Sequence, residues 1–307
     1  MRIVNAKARV SVPATSANLG PAFDCAGLAL ELCDDLSLEA VAGGVNIEIS
    51  GEGAQELPRD ENHLVVRALR RTLDAVGAPQ IGVNLTCVNR IPHGRGLGSS
   101  AAATLAGILL ARGLISDPEV LDERAILQLA TEFEGHPDNA APALLGGVTL
   151  AWGHGDRLGF TRLALREGVS WPVTVLVPEN RLSTESARGL LPESVPHADA
   201  AFAAGRGALL SYALTSAPEL LFDATVDVLH QEYRAPGMPE SVELVRVLRS
   251  QGYPAAISGA GPTVIVFAQP GQEMRETVRN VVADPQSWRV ASPGLAAKGA
   301  LQRLIPC

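Results

Sequence analysis

The 307-residue chain is long enough for a large hydrophobic core, and its length favours two domains over one. Hydrophobic residues make up 47% and charged residues 19%, a composition typical of a soluble globular protein that excludes a disordered or fibrous one. The net charge of −8 argues against nucleic acid or an anionic membrane as the main partner, because either would select a basic surface.

The cysteines and the absence of long apolar runs indicate the cellular compartment. Cys25, Cys33, Cys87 and Cys307 show no metal-ligand spacing, which predicts reduced thiols. Residues 1–13 alternate like a strand and lack the apolar stretch of a signal peptide. No uninterrupted apolar run approaches about 20 residues, so no membrane span is predicted. The expected location is the cytoplasm.

Hydrophobic periodicity predicts a mixed α and β structure along the whole chain. The predicted elements are strands over 4–12, 32–40, 45–50, 81–87, 148–152 and 173–177, helices over 63–76, 99–112, 122–134 and through the 200s, and a strand–loop–strand over 255–268. Residues 153–168 are rich in glycine and charge and predict a hairpin or a connector. The sequence therefore divides into predicted domains over 1–160 and 161–307.

The strongest local signal is the segment PHGRGLGSSAA over residues 92–102. Its three glycines at alternate positions let backbone N–H groups converge on phosphate oxygens. Ser99 and Ser100 then open a predicted helix, whose N-terminal amides add to an anion site. The lysine of the common phosphate-binding loop is absent. Taken alone, the segment is also explained as a glycine turn capped by Ser99.

Three further loops combine turn-forming and polar residues. PATSANLGPAFD over 13–24 follows a strand, and its Asn18 and Asp24 could hold a substrate amine or hydroxyl. EGHPDN over 134–139 begins with a carboxylate that suits Mg²⁺. SGAGPT over 258–263 links two predicted strands and could form a pocket wall. Each loop alone is also explained structurally, as an Asx turn, an acidic helix end before proline, and a hairpin loop respectively.

The joint occurrence and order of these four loops resembles one kinase superfamily, that of galactokinase, homoserine kinase, mevalonate kinase and phosphomevalonate kinase (the GHMP kinases). Within it the resemblance to the homoserine kinases is close, and the segments LSTESAR over 182–188 and HQEYRAP over 230–236 extend it over nearly the whole chain. Mevalonate and diphosphocytidyl kinases do not usually share the first loop or the HPDN segment.

This resemblance implies an α+β, two-domain GHMP kinase fold. Its N-terminal domain is a ribosomal-protein-S5-like β/α domain that binds ATP, and its C-terminal domain is ferredoxin-like. It also implies ATP and Mg²⁺ as cofactors, the small molecule L-homoserine as phosphoryl acceptor in threonine biosynthesis from aspartate, and a homodimer. Two alternatives stay open: a sibling kinase acting on mevalonate, a sugar or a diphosphocytidyl alcohol, and an inactive homologue that only binds nucleotide.

The resemblance further implies roles for individual residues. The residues expected to bind ATP are Asn62, at the position that touches adenine in relatives, and Pro92, His93, Gly94, Arg95, Gly96, Leu97, Gly98, Ser99, Ser100, Ala101 and Ala102. The residues expected to face homoserine are Asn18, Asp24, His136 and Asn139, with Arg188 and Arg234 clamping its carboxylate. Guanidinium groups suit that role because their paired donors match a carboxylate.

The expected catalytic groups follow from the same resemblance. Phosphoryl transfer depends mainly on positioning and charge neutralisation. Glu134 and Ser100, with Ser99 as the alternative serine, would hold Mg²⁺, while Asn139 and His136 orient the δ-hydroxyl. No dedicated carboxylate base is implied, and Asp138 is the remaining candidate for one.

Overall fold

The computed structural model describes residues 1–303, 305 and 306, which form two β-sheets flanked by helices. The strands are β1 (Lys7–Ala17), β2 (Ala26–Val41), β3 (Val45–Gly51), β4 (Gly82–Asn89), β5 (Val148–Trp152), β6 (Gly159–Leu163), β7 (Thr174–Pro178), β8 (Ala255–Ile257), β9 (Val264–Val266), β10 (Trp288–Ala291) and β11 (Ile305–Pro306). The α-helices are α1 (Leu64–Ala75), α2 (Ser99–Leu114), α3 (Glu123–Glu134), α4 (Ala140–Leu145), α5 (Thr184–Gly189), α6 (His197–Thr215), α7 (Leu221–Ala224), α8 (Pro239–Ser250) and α9 (Gln272–Val281). Single 3₁₀ turns lie at Pro118–Val120, Gly155–Arg157, Pro218–Leu220, Ala235–Gly237, Pro285–Ser287 and Ala300–Arg303.

The first sheet has the strand order β11-β1-β2-β4-β3, and β5 and β6 extend it from the start of β2. Its neighbours are antiparallel except β3 and β4, which run parallel because α1 connects them. Helix α2 packs between this sheet and α1 and is buried on nearly all sides. Gly107 permits the close approach, since a Cβ there would lie 2.3 Å from the Val65 carbonyl oxygen of α1. The start of α2 is thereby held at the sheet edge from which the predicted loops emerge.

The second sheet has the order β10-β7-β9-β8 and is antiparallel throughout. Its elements follow the sequence β7, α8, β8, β9, α9, β10, which is the β-α-β-β-α-β arrangement of a ferredoxin-like unit. A separate hydrophobic cluster joins the sheet to α8 and α9, with Leu248, Met274 and Trp288 among its members. The predicted ferredoxin-like topology is confirmed.

Most elements lie where the periodicity predicts them, and the exceptions have local causes. The predicted strand over 32–40 is the second half of the longer β2, whose first residues, Ala26–Leu30, are all buried and therefore show no alternation. The strand predicted from Val4 begins at Lys7 instead, and the Val4 side chain is 58% exposed. Residues 153–168 contain β6, which pairs with β5 as a hairpin.

The chain passes from the first sheet to the second between β6 and β7. It returns at the end, where Arg9 of β1 pairs with Ile305 of β11. The division at 160/161 stays a prediction. Within the described part of the chain, no helix is long and apolar enough to cross a membrane. Cys307 lies outside the described residues.

Candidate active site

Two adjoining cavities lie where the four predicted loops meet. A polar cavity of about 120 Å³ is lined by residues of all four loops and of the segment 182–188. A mostly apolar cavity of about 340 Å³ lies beside it and is lined by residues such as Asn62, Leu64 and Val65. Gly94, Ser99 and Ser100 line both cavities, so the two form one continuous cleft.

The glycine loop lies between the two cavities with its backbone in the left-handed region. Gly94, Gly96 and Gly98 have φ of 64°, 76° and 69°. A Cβ at Gly98 would lie 2.0 Å from the Thr15 hydroxyl, so a side chain there is excluded. Gly98 itself is the N-cap of α2, and no described side chain caps the helix, so the alternative explanation of the segment as a glycine turn capped by Ser99 does not hold. The first backbone N–H groups of this 16-residue helix are therefore free of side-chain caps, as an anion site requires.

Five residues of the 92–102 segment line neither cavity, namely Pro92, Arg95, Leu97, Ala101 and Ala102. Four of its side chains are buried, those of Pro92, Leu97, Ala101 and Ala102. The Arg95 guanidinium donates to the carbonyl oxygen of Glu179 at 2.8 Å and does not line either cavity of the cleft. Arg95 therefore ties the glycine loop to the end of β7 in the second sheet.

Ser100 and Glu134 form the predicted metal-binding pair. The Ser100 hydroxyl donates to Glu134 Oε1 at 2.6 Å, and Thr104 approaches the same oxygen at 3.4 Å. Burial raises the pKa of Glu134, and a cation beside the carboxylate would favour its charged form. A carboxylate and a hydroxyl that meet at the rim of the polar cavity fit Mg²⁺, which prefers hard oxygen ligands.

His136, Asp138 and Asn139 form one hydrogen-bonded group on the floor of the polar cavity. His136 Nδ1 is in short contact with the Asp138 carboxylate, while His136 Nε2 is buried and has no hydrogen-bond partner in the described part of the chain. Burial acts to lower the pKa of His136, but the hydrogen bond and charge of Asp138 outweigh it and raise that pKa. The Thr15 hydroxyl donates to Asn139 Oδ1 at 2.8 Å and thereby fixes the orientation of the Asn139 amide.

Asn18 and Asp24 of the first loop also line the polar cavity. The Asn18 amide donates to the Gly259 carbonyl oxygen at 2.9 Å and accepts from the Asp24 backbone N–H at 2.9 Å. Both ends of this amide therefore hold the loops together, although Asn18 also lines the cavity. The Asp24 carboxylate forms an ion pair with Arg188 at 2.6 Å.

Arg234 is a buried cation without a carboxylate partner among the described residues. Its side chain is 1% exposed, and its nitrogens donate to the carbonyl oxygens of Ala187 and Gly259 and to His230 Nδ1. His230 Nε2 in turn lies 2.9 Å from the Gly20 carbonyl oxygen, an arrangement that suits a neutral ring protonated at Nε2. Burial and the nearby Arg188 lower the pKa of Arg234, so this site favours an added anion.

Known proteins share both the sequence and the fold. The family model for the GHMP kinases N terminal domain matches residues 63–147, and the model for GHMP kinases C terminal matches residues 201–284. A homoserine kinase of Streptomyces avermitilis is 52% identical, over 96% of this chain and 95% of its own. One of Streptomyces coelicolor is 56% identical over 86% and 85%. This chain belongs to the homoserine kinase family of the GHMP kinases.

A solved structure supports the same assignment. The crystal structure of homoserine kinase from Cytophaga hutchinsonii aligns with a TM-score of 0.82 at 25% identity, covering 98% of both chains. The predicted two-domain GHMP kinase fold is thereby confirmed, and membership in a kinase family brings ATP as co-substrate. The roles of individual residues and the binding of Mg²⁺ stay predictions.

The structure brings the predicted site residues to one cleft, except the five of the 92–102 segment that line neither cavity, and it adds some residues that the sequence analysis missed. Ser183 and Thr184 line the polar cavity beside Arg188. Phe23 lies under both cavity arginines, with its ring centroid 5.5 Å from the Arg188 guanidinium and 5.3 Å from that of Arg234. All three lie inside segments that carry the family resemblance, but neither their spacing nor their residue types distinguish them from ordinary turn and core residues.

Proposed function

We propose that this chain transfers the γ-phosphoryl group of ATP to the hydroxyl of L-homoserine and so forms O-phospho-L-homoserine. The observation that carries this proposal is the buried Arg234, which lines the polar cavity without a carboxylate partner among the described residues. Burying a guanidinium without an opposite charge raises the free energy of the folded protein, and a ligand carboxylate would offset that increase. The homoserine kinase family membership supports the same acceptor.

The charges of the polar cavity fit a small zwitterion. Arg188 and Arg234 provide the cations for a carboxylate, and Asp24 provides the anion for an ammonium group. Asp24, His136 and Asp138 each place one polar atom within 4.8 Å of the others. The Asp138 carboxylate would therefore lie close to an ammonium group bound at Asp24. Mevalonate and neutral sugars lack the ammonium group, so they would leave Asp24 without its ligand partner.

The other cavity and the shared rim fit ATP. Asn62 and its apolar neighbours would receive the base, and the glycine loop with the start of α2 would receive the phosphates. Ser100 and Glu134 would hold Mg²⁺, which neutralises phosphate charge when bound. Asn139, fixed by Thr15, would orient the acceptor hydroxyl together with His136.

A coupled ADP-release assay tests the proposal. Homoserine, mevalonate and galactose are compared as acceptors, each with and without Mg²⁺. We expect ADP release to need both homoserine and Mg²⁺. Faster release with mevalonate or galactose would contradict the acceptor, and no release with any acceptor would favour an inactive nucleotide-binding homologue.

Glu134→Gln separates catalysis from acceptor binding. We expect kcat to collapse while the KM for homoserine changes little, because Glu134 would act on the metal and not on the acceptor. The matched control is Glu132→Gln on the same helix, whose exposed carboxylate pairs with Arg71 and should not affect activity. A homodimer and a cytoplasmic location stay predictions.

A further inference from the structure

The aromatic ring of Phe23 lies under both arginines of the polar cavity. Its centroid is 5.5 Å from the guanidinium carbon of Arg188 and 5.3 Å from that of Arg234. The centroid of the His230 ring, whose Nδ1 accepts from Arg234, lies 5.4 Å from that of Phe23. Phe23 itself lines neither cavity of the cleft. The ring is therefore in contact with the groups proposed to bind the acceptor and not with the acceptor itself.

The two arginines carry like charges that have to be held near each other. Burial and the charge of Arg188 lower the pKa of Arg234, so the two guanidinium groups repel each other. The Asp24 carboxylate pairs with Arg188 at 2.6 Å, and no described carboxylate pairs with Arg234. The face of an aromatic ring attracts a cation because its π-electrons create a negative potential there. This attraction uses none of the N–H donors that a ligand carboxylate would need.

The loop that carries Phe23 is held in one conformation by its neighbours. In the described part of the chain, the non-glycine residues with positive φ are all in this loop: Asn18 at 67°, Leu19 at 51° and Asp24 at 54°. Such a conformation is unfavourable for a residue with a Cβ, and it persists where surrounding contacts impose it. The Asn18 amide supplies two of these contacts, because it accepts from the Asp24 backbone N–H and donates to the Gly259 carbonyl oxygen. The loop thereby holds the Phe23 ring at a defined position beside the polar cavity.

Other phenylalanine rings in the described part of the chain that lie under a guanidinium have one such partner each. Phe202 lies 4.9 Å from the guanidinium carbon of Arg206, and Phe222 lies 4.6 Å from that of Arg249. Both rings are 38% exposed, and none of these four residues lines the cleft. Phe23 differs from them because two guanidinium groups share its ring, and both of these groups line the polar cavity.

We propose that Phe23 is a positioning residue that holds the guanidinium groups of Arg188 and Arg234 ready for the carboxylate of the acceptor. This inference rests on the proposed function, since it takes the polar cavity as the homoserine site. The role requires an aromatic face, which an aliphatic side chain of similar size does not provide. Because Phe23 contacts neither Ser100 nor Glu134, its loss should weaken acceptor binding and leave phosphoryl transfer within the bound complex unchanged.

Coupled ADP-release kinetics on variants of Phe23 test this role. We expect Phe23→Leu to raise the KM for homoserine roughly five- to thirtyfold and to leave kcat nearly unchanged, because two cation–π contacts are lost. Phe23→Tyr keeps the aromatic face and should recover most of the affinity. The matched control is Phe202→Leu, which removes a cation–π contact away from the cleft and should change neither KM nor kcat. An unchanged KM in Phe23→Leu, or a fall in kcat at constant KM, would overturn the proposal.

A fluorinated ring separates the electrostatic role of Phe23 from its packing and does not depend on the folding of the leucine variant. Site-specific incorporation of fluorinated phenylalanines at position 23 keeps the shape of the ring and weakens the negative potential of its face. The KM for homoserine should rise with each added fluorine, while Tm stays constant. A KM that does not respond to fluorination would assign Phe23 a packing role and overturn this inference alone. Failure of the unaltered protein to phosphorylate homoserine would instead overturn the proposed function, and this inference with it.

Discussion

The two arginines of the polar cavity differ in what the fold already provides for them. Arg188 is half-buried and pairs with Asp24 at 2.6 Å. Arg234 is fully buried, and its hydrogen-bond partners among the described residues are carbonyl oxygens and an imidazole. Arg188 therefore can exchange one carboxylate for another when a ligand binds, whereas Arg234 gains a carboxylate that it lacks. The larger share of the binding free energy is expected at Arg234.

Arg234→Leu should raise the apparent KM for homoserine by roughly thirtyfold or more. Removing one charged partner of a desolvated pair costs about 2–5 kcal/mol, which corresponds to roughly thirty- to several-thousand-fold in affinity. ADP affinity, measured by calorimetry, should change little, because the proposed sites for the base and the phosphates lie elsewhere in the cleft. The control is Arg246→Leu at an exposed ion pair with Glu232. Equal weakening of ADP and homoserine would assign Arg234 to the phosphate site.

The buried carboxylate of Asp34 should make the free energy of unfolding depend on pH. Its Oδ1 accepts the backbone N–H groups of Arg90 and Ile91 just before the glycine loop, and burial raises its pKa to about 6. The folded chain therefore binds a proton on the Asp34 carboxylate more tightly than the unfolded chain does. The resulting stabilisation of the folded state is fully present below about pH 4 and is lost as the pH rises through about 6. It amounts to about 3 kcal/mol at most.

Asp34→Asn keeps the acceptor oxygen and removes the charge. In urea unfolding, the variant should be more stable than the unaltered protein near pH 8, and the difference should shrink as the pH falls towards 5. A difference that stays constant across this range would show that ionisation of Asp34 does not control it.

At the scale of elements, the glycine loop depends on close backbone approach as well as on backbone conformation. A Cβ at Gly96 would lie 2.2 Å from the Ser258 carbonyl oxygen, in the loop between β8 and β9. Gly77 also has a positive φ, 62°, but a Cβ there would meet nothing within 4 Å. The two positions therefore separate conformational strain from steric contact.

Gly96→Ala should lower both Tm and ADP affinity well beyond the effect of Gly77→Ala. Gly77→Ala should cost only the strain of a left-handed residue, about 1–2 kcal/mol, and leave ADP affinity unchanged. Thermal unfolding and calorimetry on both variants check this. Equal destabilisation by the two changes would mean that the loop moves away from Ser258 at little cost.

Sequence periodicity predicted those elements that have one buried face. Helix α1 and strand β4 show that pattern and lie within one or two residues of their predicted ends. The first half of β2 was not predicted, because Ala26–Leu30 are buried throughout and leave no alternation to detect. The two residues of β11 are too few to show any period.

At the scale of the whole molecule, the family resemblance predicted which loops converge, but not how they are joined. Asn18 was expected to face the acceptor, and the structure shows its amide linking the first loop to Gly259 in the last one. The Ser258 hydroxyl donates to the Gly96 carbonyl oxygen at 2.6 Å and lies 2.8 Å from the Ser16 hydroxyl, so it connects three of the loops. Such contacts span more than 150 residues and have no signature in a single sequence.

These connections predict that the chain unfolds as one unit. The larger hydrophobic core contains residues of both sheets, among them Leu28 of β2 and Ile265 of β9. Unfolding of either sheet would therefore expose the other. We expect a single thermal transition that ADP and homoserine each raise, since a ligand that binds only the folded state adds about 2.7 kcal/mol at a hundred times its Kd.

Calorimetric scans with each ligand alone and with both test this expectation. For the unaltered protein, ADP and homoserine should shift the same transition, although their sites lie in different cavities. Arg234→Leu should lose most of the shift due to homoserine and keep the shift due to ADP, because Arg234 is proposed to bind the acceptor and not the nucleotide. Two separate transitions, each raised by one ligand, would show that the sheets unfold independently despite the shared core. In that case the cleft would be held together by the ligands, and the loop contacts of Asn18 and Ser258 would contribute little to stability.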